Sequence, residues 1–99
     1  MVEPANTPSM EENLVPISLC RRGMMVTIEG TVGMITVSPK KAKSKVVAYC
    51  YDGTGEIELV WLGRRQISGI EVGQRLQVHG RVAVHGRELA IYNPSYELM

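Results

Sequence analysis

The chain has 99 residues, a formal net charge of +1 and no phenylalanine, enough for one domain with a modest core and too little for a second folding unit. So small a charge argues against a strongly basic nucleic-acid binder, and no apolar run approaches membrane-spanning length. The charge is uneven, however: residues 1–14 hold Glu3, Glu11 and Glu12 and no base, leaving eleven Lys and Arg against seven acids in the remainder, an excess that permits attraction to phosphate without demanding it.

Residues 1–15 are polar, contain Pro4 and Pro8 and show no periodicity; they are expected to form a disordered acidic leader, with the folded domain over 16–99. The stretch from Pro16 to Cys20 reads as a turn or short helix plugging one end of the core. From Met25, the apolar Val26, Ile28, Val32 and Met34 alternate with Thr27, Glu29, Thr31 and Gly33, the period of a strand. Two further strands are expected from Val46 to Asp52 and from Glu56 to Leu62. Between them Asp52-Gly53-Thr54-Gly55 is a hairpin signal, because Asp and Gly tolerate the positive φ of a tight turn. The segment Gly63 to Ile70 has room for one helical turn. A long strand from Arg75 to Val84 and a short one from Glu88 to Tyr92 follow, joined at His85-Gly86-Arg87. Asn93-Pro94 is expected to end pairing, since proline has no backbone donor.

One internal correspondence organises these elements. Val26-x-Ile28-x-Gly30-x-Val32 matches Leu76-x-Val78-x-Gly80-x-Val82 position for position. A glycine inside a strand marks a bulge or sharp coil, and two long strands that bend at glycine are what a small barrel uses to turn its corners. The order is a long bent strand, a hairpin pair, a linker, a second long bent strand and a short last strand. That predicts an all-β fold, the five-stranded Greek-key OB-fold barrel, with a short helical turn between strands 3 and 4.

Cys20 and Cys50 stand in no metal-ligand spacing, and with no secretory signal in view they are expected to be reduced, buried and apolar in a cytoplasmic protein. Trp61, in phase with Leu59, is expected in the core, and Tyr92 and Tyr96 at the barrel closure. His79 and His85 are read as surface residues. The single aspartate, Asp52, is taken by its turn, and no phosphate loop, paired metal ligands or nucleophile motif is present; neither catalysis nor a cofactor is expected.

In an OB-fold, oligonucleotides cross strands 2 and 3, flanked by the loops between strands 1 and 2 and between strands 4 and 5. Alternation with Ala48 and Cys50 inside directs Val47, Tyr49 and Tyr51 outward, and Ile57, Leu59 and Trp61 inside direct Glu56, Glu58 and Val60 outward. Tyr49 and Tyr51 then form a stacking platform, on which a base gains about 1–3 kcal/mol with little sequence preference. The loop from Ser38 to Lys45 carries every lysine of the chain, Lys40, Lys41, Lys43 and Lys45, suited to phosphate. Arg64, Arg65 and Arg87 can extend that basic track. Glu56 and Glu58 oppose phosphate; their carboxylates can instead accept from base amino groups, as from cytosine.

Residues 26–32 and Tyr49-Cys50-Tyr51-Asp52-Gly53-Thr54-Gly55 resemble anticodon-binding-type OB domains and the OB domain in the wedge of branched-DNA helicases. Leu59 to Arg65, Gly69 to Gly73 and Ile91 to Leu98 are similar to small stand-alone bacterial OB-fold nucleic-acid-binding proteins, so the resemblance covers residues 19 to 98. It implies a nucleic-acid binder. The anticodon type commonly offers an aromatic at the position of Val47 and an arginine at that of Tyr51; here the aromatics are Tyr49 and Tyr51, so anticodon recognition is not carried over. The expectation is a monomer that binds single-stranded DNA or RNA with low sequence specificity. The alternative is an OB module docking a protein partner, through apolar surface around Val47 and Val60.

Overall fold

The computed structural model describes residues 14–38 and 43–99. Six strands run in chain order: β1 (Met25–Val37), β2 (Lys45–Tyr51), β3 (Glu56–Leu62), β4 (Arg75–His85), β5 (Glu88–Tyr92) and β6 (Ser95–Leu98). They lie in the order β1-β2-β3-β5-β4-β6, and an additional β1–β4 pairing closes five of them into a ring. Every pairing is antiparallel except β3–β5. The expected five-stranded barrel is therefore present, with one strand added.

The two glycine-centred repeats pair with each other. In the antiparallel β1–β4 ladder Val26 faces Gly80, Ile28 faces Val78 and Gly30 faces Leu76, so each glycine lies opposite the first apolar residue of the other repeat. Ile28, Leu76 and Val78 are fully buried. The register runs unbroken through both glycines, which serve close approach rather than a bulge. The bulge falls three residues later, between Val32 and Met34, where β1 changes register against β2.

Alternation along β2 and β3 places Val46, Ala48, Cys50, Ile57, Leu59 and Trp61 in the core as expected. Cys20 and Cys50 are buried free thiols. Burial, with the nearby Asp52 charge adding to it, pushes the Cys50 thiol up to about 12, so it stays protonated and packs as a small apolar group.

Three local expectations change. Leu14 and Val15, assigned to the leader, join the fold: Leu14 bridges Thr27 and the Val15 N–H donates to the Thr27 carbonyl; the rest of the leader lies outside the described residues. The β3–β4 connection contains turns at Ile67–Ile70 and Glu71–Gln74 and no helical segment; the helical turn of the fold is instead the 3-10 segment Ile17–Leu19 ahead of β1. Pairing also resumes after Pro94, because β6 finds the β4 edge at 76–79 that β5 leaves free. Tyr96 on β6 meets Trp61 edge-on, with ring centroids 5.7 Å apart, and its hydroxyl donates to the Ser68 carbonyl, fastening the β3–β4 connection to the core.

Asp52 performs the turn role read from the sequence and one more. Its Oδ1 accepts from the Thr54 N–H, the Thr54 hydroxyl and the Gly55 N–H, while its Oδ2 accepts from the Ile17 N–H across 35 residues. Burial opposes the charge, but the bonds from Ile17, Thr54 and Gly55 outweigh it and hold the carboxyl below its ordinary value of 3.8. A lowered carboxyl adds stability that is complete above the ordinary value and is lost as pH falls through the lowered one. Asp52→Ala is expected to cost about 1–2 kcal/mol at neutral pH, the deficit narrowing in acid below the ordinary value. Urea midpoints at pH 7 and pH 3 check this; an equal deficit at both would show that the charge is not what holds the turn.

Candidate functional site

Of the expected binding residues, Val47, Tyr49, Tyr51 and Glu58 lie on the side of β2 and β3 away from the barrel core. Register rows run across it: Thr36 of β1, Val47, Val60 and Tyr92 form one, and Met34, Tyr49, Glu58 and Ala90 the next. At the β2–β3 turn Tyr51 pairs with Glu56. Tyr51 is 45% exposed and Met34 53%, whereas Tyr49 is half-buried.

The middle of this face is closed. Val47 and Val60, expected to be exposed, are buried in a small second cluster with Ala90, covered by Tyr49 and Tyr92. The reason is β5, which lies parallel beside β3 and carries Ala90 and Tyr92 over the row. Tyr92 thus caps the outside of the sheet instead of closing the barrel. The apolar surface around Val47 and Val60 that a protein partner would need is not at the surface.

Glu58 is also buried, at 6% exposure, and does not face a base as expected. Its Oε1 lies 2.6 Å from Nδ1 of His85 on β4, and Nε2 of His85 lies 2.9 Å from Nζ of Lys45. An ammonium only donates, so Nε2 accepts and Nδ1–H donates to the carboxylate. The sequence reading took His85 for a surface residue; it is the centre of a Lys45–His85–Glu58 chain linking three strands. Tyr92 packs edge-on against the His85 ring.

Lys43, Arg64 and Arg65 lie at the end of the face away from the β2–β3 turn, whereas Arg87, just ahead of β5, lies at the turn end, because β5 runs parallel to β3 with Ala90 level with Glu58. The β2–β3 register sets Lys45 opposite Leu62, and the Gly63 N–H donates to the Ser44 carbonyl at 2.8 Å. This ladder brings Ser44 and Lys45 beside Leu62 and Gly63, just ahead of Arg64 and Arg65. Lys43, Arg64 and Arg65 are exposed. Arg87, also exposed, stands in the β4–β5 turn two residues from His85. Lys40 and Lys41 lie outside the described residues. Among those described, no cluster of His, Cys, Asp and Glu could hold a metal ion, and no helix is long and apolar enough to cross a membrane.

At the other end a depression of about 340 Å³ is lined by Gly33, Met34, Tyr49, Tyr51 and Glu56. The β1 bulge shapes it. A Cβ at Gly33 would lie 3.1 Å from the Tyr51 ring, so the ring rests against the bulged backbone where any other residue would push it away. Met34, which completes this wall, was not among the expected binding residues; a second glycine inside the strand, Gly33, was the signal available.

A family model described as the tRNA anti-codon OB-fold nucleic acid binding domain matches residues 26–99. No curated protein matches the chain. Among solved structures, a domain of replication protein A from Methanococcus maripaludis is 18% identical with a TM-score of 0.72, over 87% of this chain and 94% of that one. An OB domain from Methanosarcina mazei is 17% identical with a TM-score of 0.69, over 88% of this chain and 84% of that one. RecG bound to a three-way DNA junction gives 18% identity and a TM-score of 0.65, over 87% of this chain and 12% of RecG.

Proposed function

The chain belongs to the family of OB-fold nucleic acid binding domains, and from that premise we propose that it binds single-stranded DNA or RNA along the outer face of β2 and β3. One observation carries this reading: exposed Tyr51, half-buried Tyr49 and exposed Met34 share a depression at one end of the face, and the connections that carry Lys43 and Arg64 with Arg65 meet at the other. Bases stack at the first end, Tyr51 offering a free ring face and Tyr49 one edge, while Lys43, Arg64, Arg65 and Arg87 take the phosphates. The lysines at 40 and 41 add to the same charge. Lys45 is shared with His85, and Val47 and Glu58 support the face from below.

With a net charge near zero, affinity comes from stacking more than from charge, and sequence preference along most of the strand is low because every base has a π-face. Fluorescence anisotropy with a labelled single-stranded oligothymidylate at low salt tests the reading. Tyr51→Ala is expected to weaken binding by about 5- to 100-fold, and Arg64→Gln with Arg65→Gln to flatten the log–log salt dependence by about 1 to 1.5. Dissociation constants no tighter than millimolar for both DNA and RNA would refute it.

A further inference from the structure

Two glutamates were read from the sequence as facing the platform, and the structure separates their roles. Glu58 is buried and spent on His85. Glu56 opens β3 directly opposite Tyr51, is exposed, and lines the depression together with both tyrosines. No protein group among the described residues hydrogen-bonds its carboxylate. An acceptor-only group therefore stands at the edge of a slot whose walls are two aromatic rings and a methionine, and whose back is bare glycine backbone.

We infer that this slot is a base-selective subsite in which Glu56 reads the edge of a stacked base and favours guanine, in DNA or RNA. The inference rests on the binding function proposed above and adds selectivity at one position.

The argument is one of donors and acceptors. A carboxylate presents two oxygens that only accept. Guanine is the base that offers two adjacent donors on one edge, N1–H and the N2 amino group, matching both oxygens in the bidentate geometry that makes charge-assisted pairs strong. Adenine and cytosine each offer one amino group beside a ring-nitrogen acceptor, so one oxygen is satisfied and the other repelled. Thymine and uracil offer a single N–H flanked by two carbonyls, the poorest match. The depression has the volume of about eleven waters of liquid, room for one purine. Tyr51, seated on Gly33, supplies the ring face that holds the base while its edge turns to Glu56.

The same feature accounts for an acid on a surface meant for a polyanion. Glu56 lowers affinity for strands with nothing to donate and restores it for those carrying guanine at the slot.

The test uses the full chain and short oligothymidylates bearing one central guanine, hypoxanthine, adenine or cytosine, with matching uridine oligomers for RNA, read by fluorescence anisotropy. The guanine oligomer is expected to bind about tenfold more tightly than the all-thymine one, with hypoxanthine, which lacks the N2 amino group, between them. Glu56→Gln is expected to reverse the effects, weakening guanine binding and tightening thymine binding because a negative charge beside the strand is gone. Tight thymine binding with no preference for guanine would overturn the subsite and leave the binding function standing. A preference that survives Glu56→Gln would likewise overturn it, and failure to bind any oligomer would overturn both.

Discussion

Replacing Gly30 with alanine is expected to destabilise the domain by about 3 kcal/mol or more and to lower its melting temperature by about 12–24 °C, read by thermal and urea unfolding. The added Cβ would lie 2.6 Å from the Cys50 Sγ and 2.7 Å from the Tyr51 carbonyl oxygen. Cys50 is fully buried and cannot withdraw. The carbonyl belongs to β2, held by the β1–β2 ladder in which Thr31 faces Tyr51. Relief requires parting two strands of the ring, and stabilities of domains this size are only about 5–15 kcal/mol. Gly80→Ala is also expected to destabilise, though less, because its Cβ meets a methyl of buried Ile91 at 2.5 Å but no backbone atom nearer than 3.7 Å. A Gly30→Ala protein melting within about 4 °C of the parent would mean that the barrel corner yields there.

The second large effect concerns His85. As a surface ion pair its contact with Glu58 would contribute less than about 1 kcal/mol. Glu58, however, is almost fully buried, and removing the imidazole leaves its carboxylate without that hydrogen bond and frees Lys45. His85→Ala is therefore expected to cost about 2–4 kcal/mol. Combining it with Glu58→Leu is expected to recover part of that loss, since no buried charge remains unpaired. Urea midpoints of the single and double variants decide between the views. A cost below about 1 kcal/mol for His85→Ala, or a double variant worse than the sum of its parts, would show that the chain of bonds does not secure the sheet. Because Lys45 projects from this face, His85→Ala is also expected to alter the salt dependence of oligonucleotide binding.

Both results bear on how far residue order can be read. The Asp52-Gly53 turn, the buried phase of β2 and β3, the core position of Trp61 and the matched glycines of β1 and β4 were legible because each depends on local rules: period-two alternation, positive-φ tolerance at a turn, the special standing of glycine in a strand. The β6 strand was not, because proline ends one ladder without preventing the next from forming on another edge. Nor was the Lys45–His85–Glu58 chain, whose members are separated by 40 and 27 residues and share no spacing that names them as a group.

The candidate site divides along the same line. Alternation placed Val47, Tyr49, Tyr51, Glu58 and Val60 on the side of the sheet away from the barrel core. Alternation says which side a residue takes and nothing about what lies over that side. The parallel pairing of β5 with β3, a product of chain topology, covers Val47, Glu58 and Val60 and stops short of Tyr51, while the bulge at Gly33 opens the slot beside it. By itself, then, the sequence determined the barrel, its turns and the residues facing outward, because those follow from local backbone preferences and the period of a strand. Only the tertiary structure decided which of those outward residues are open to a ligand, because coverage is set by strands distant in the chain.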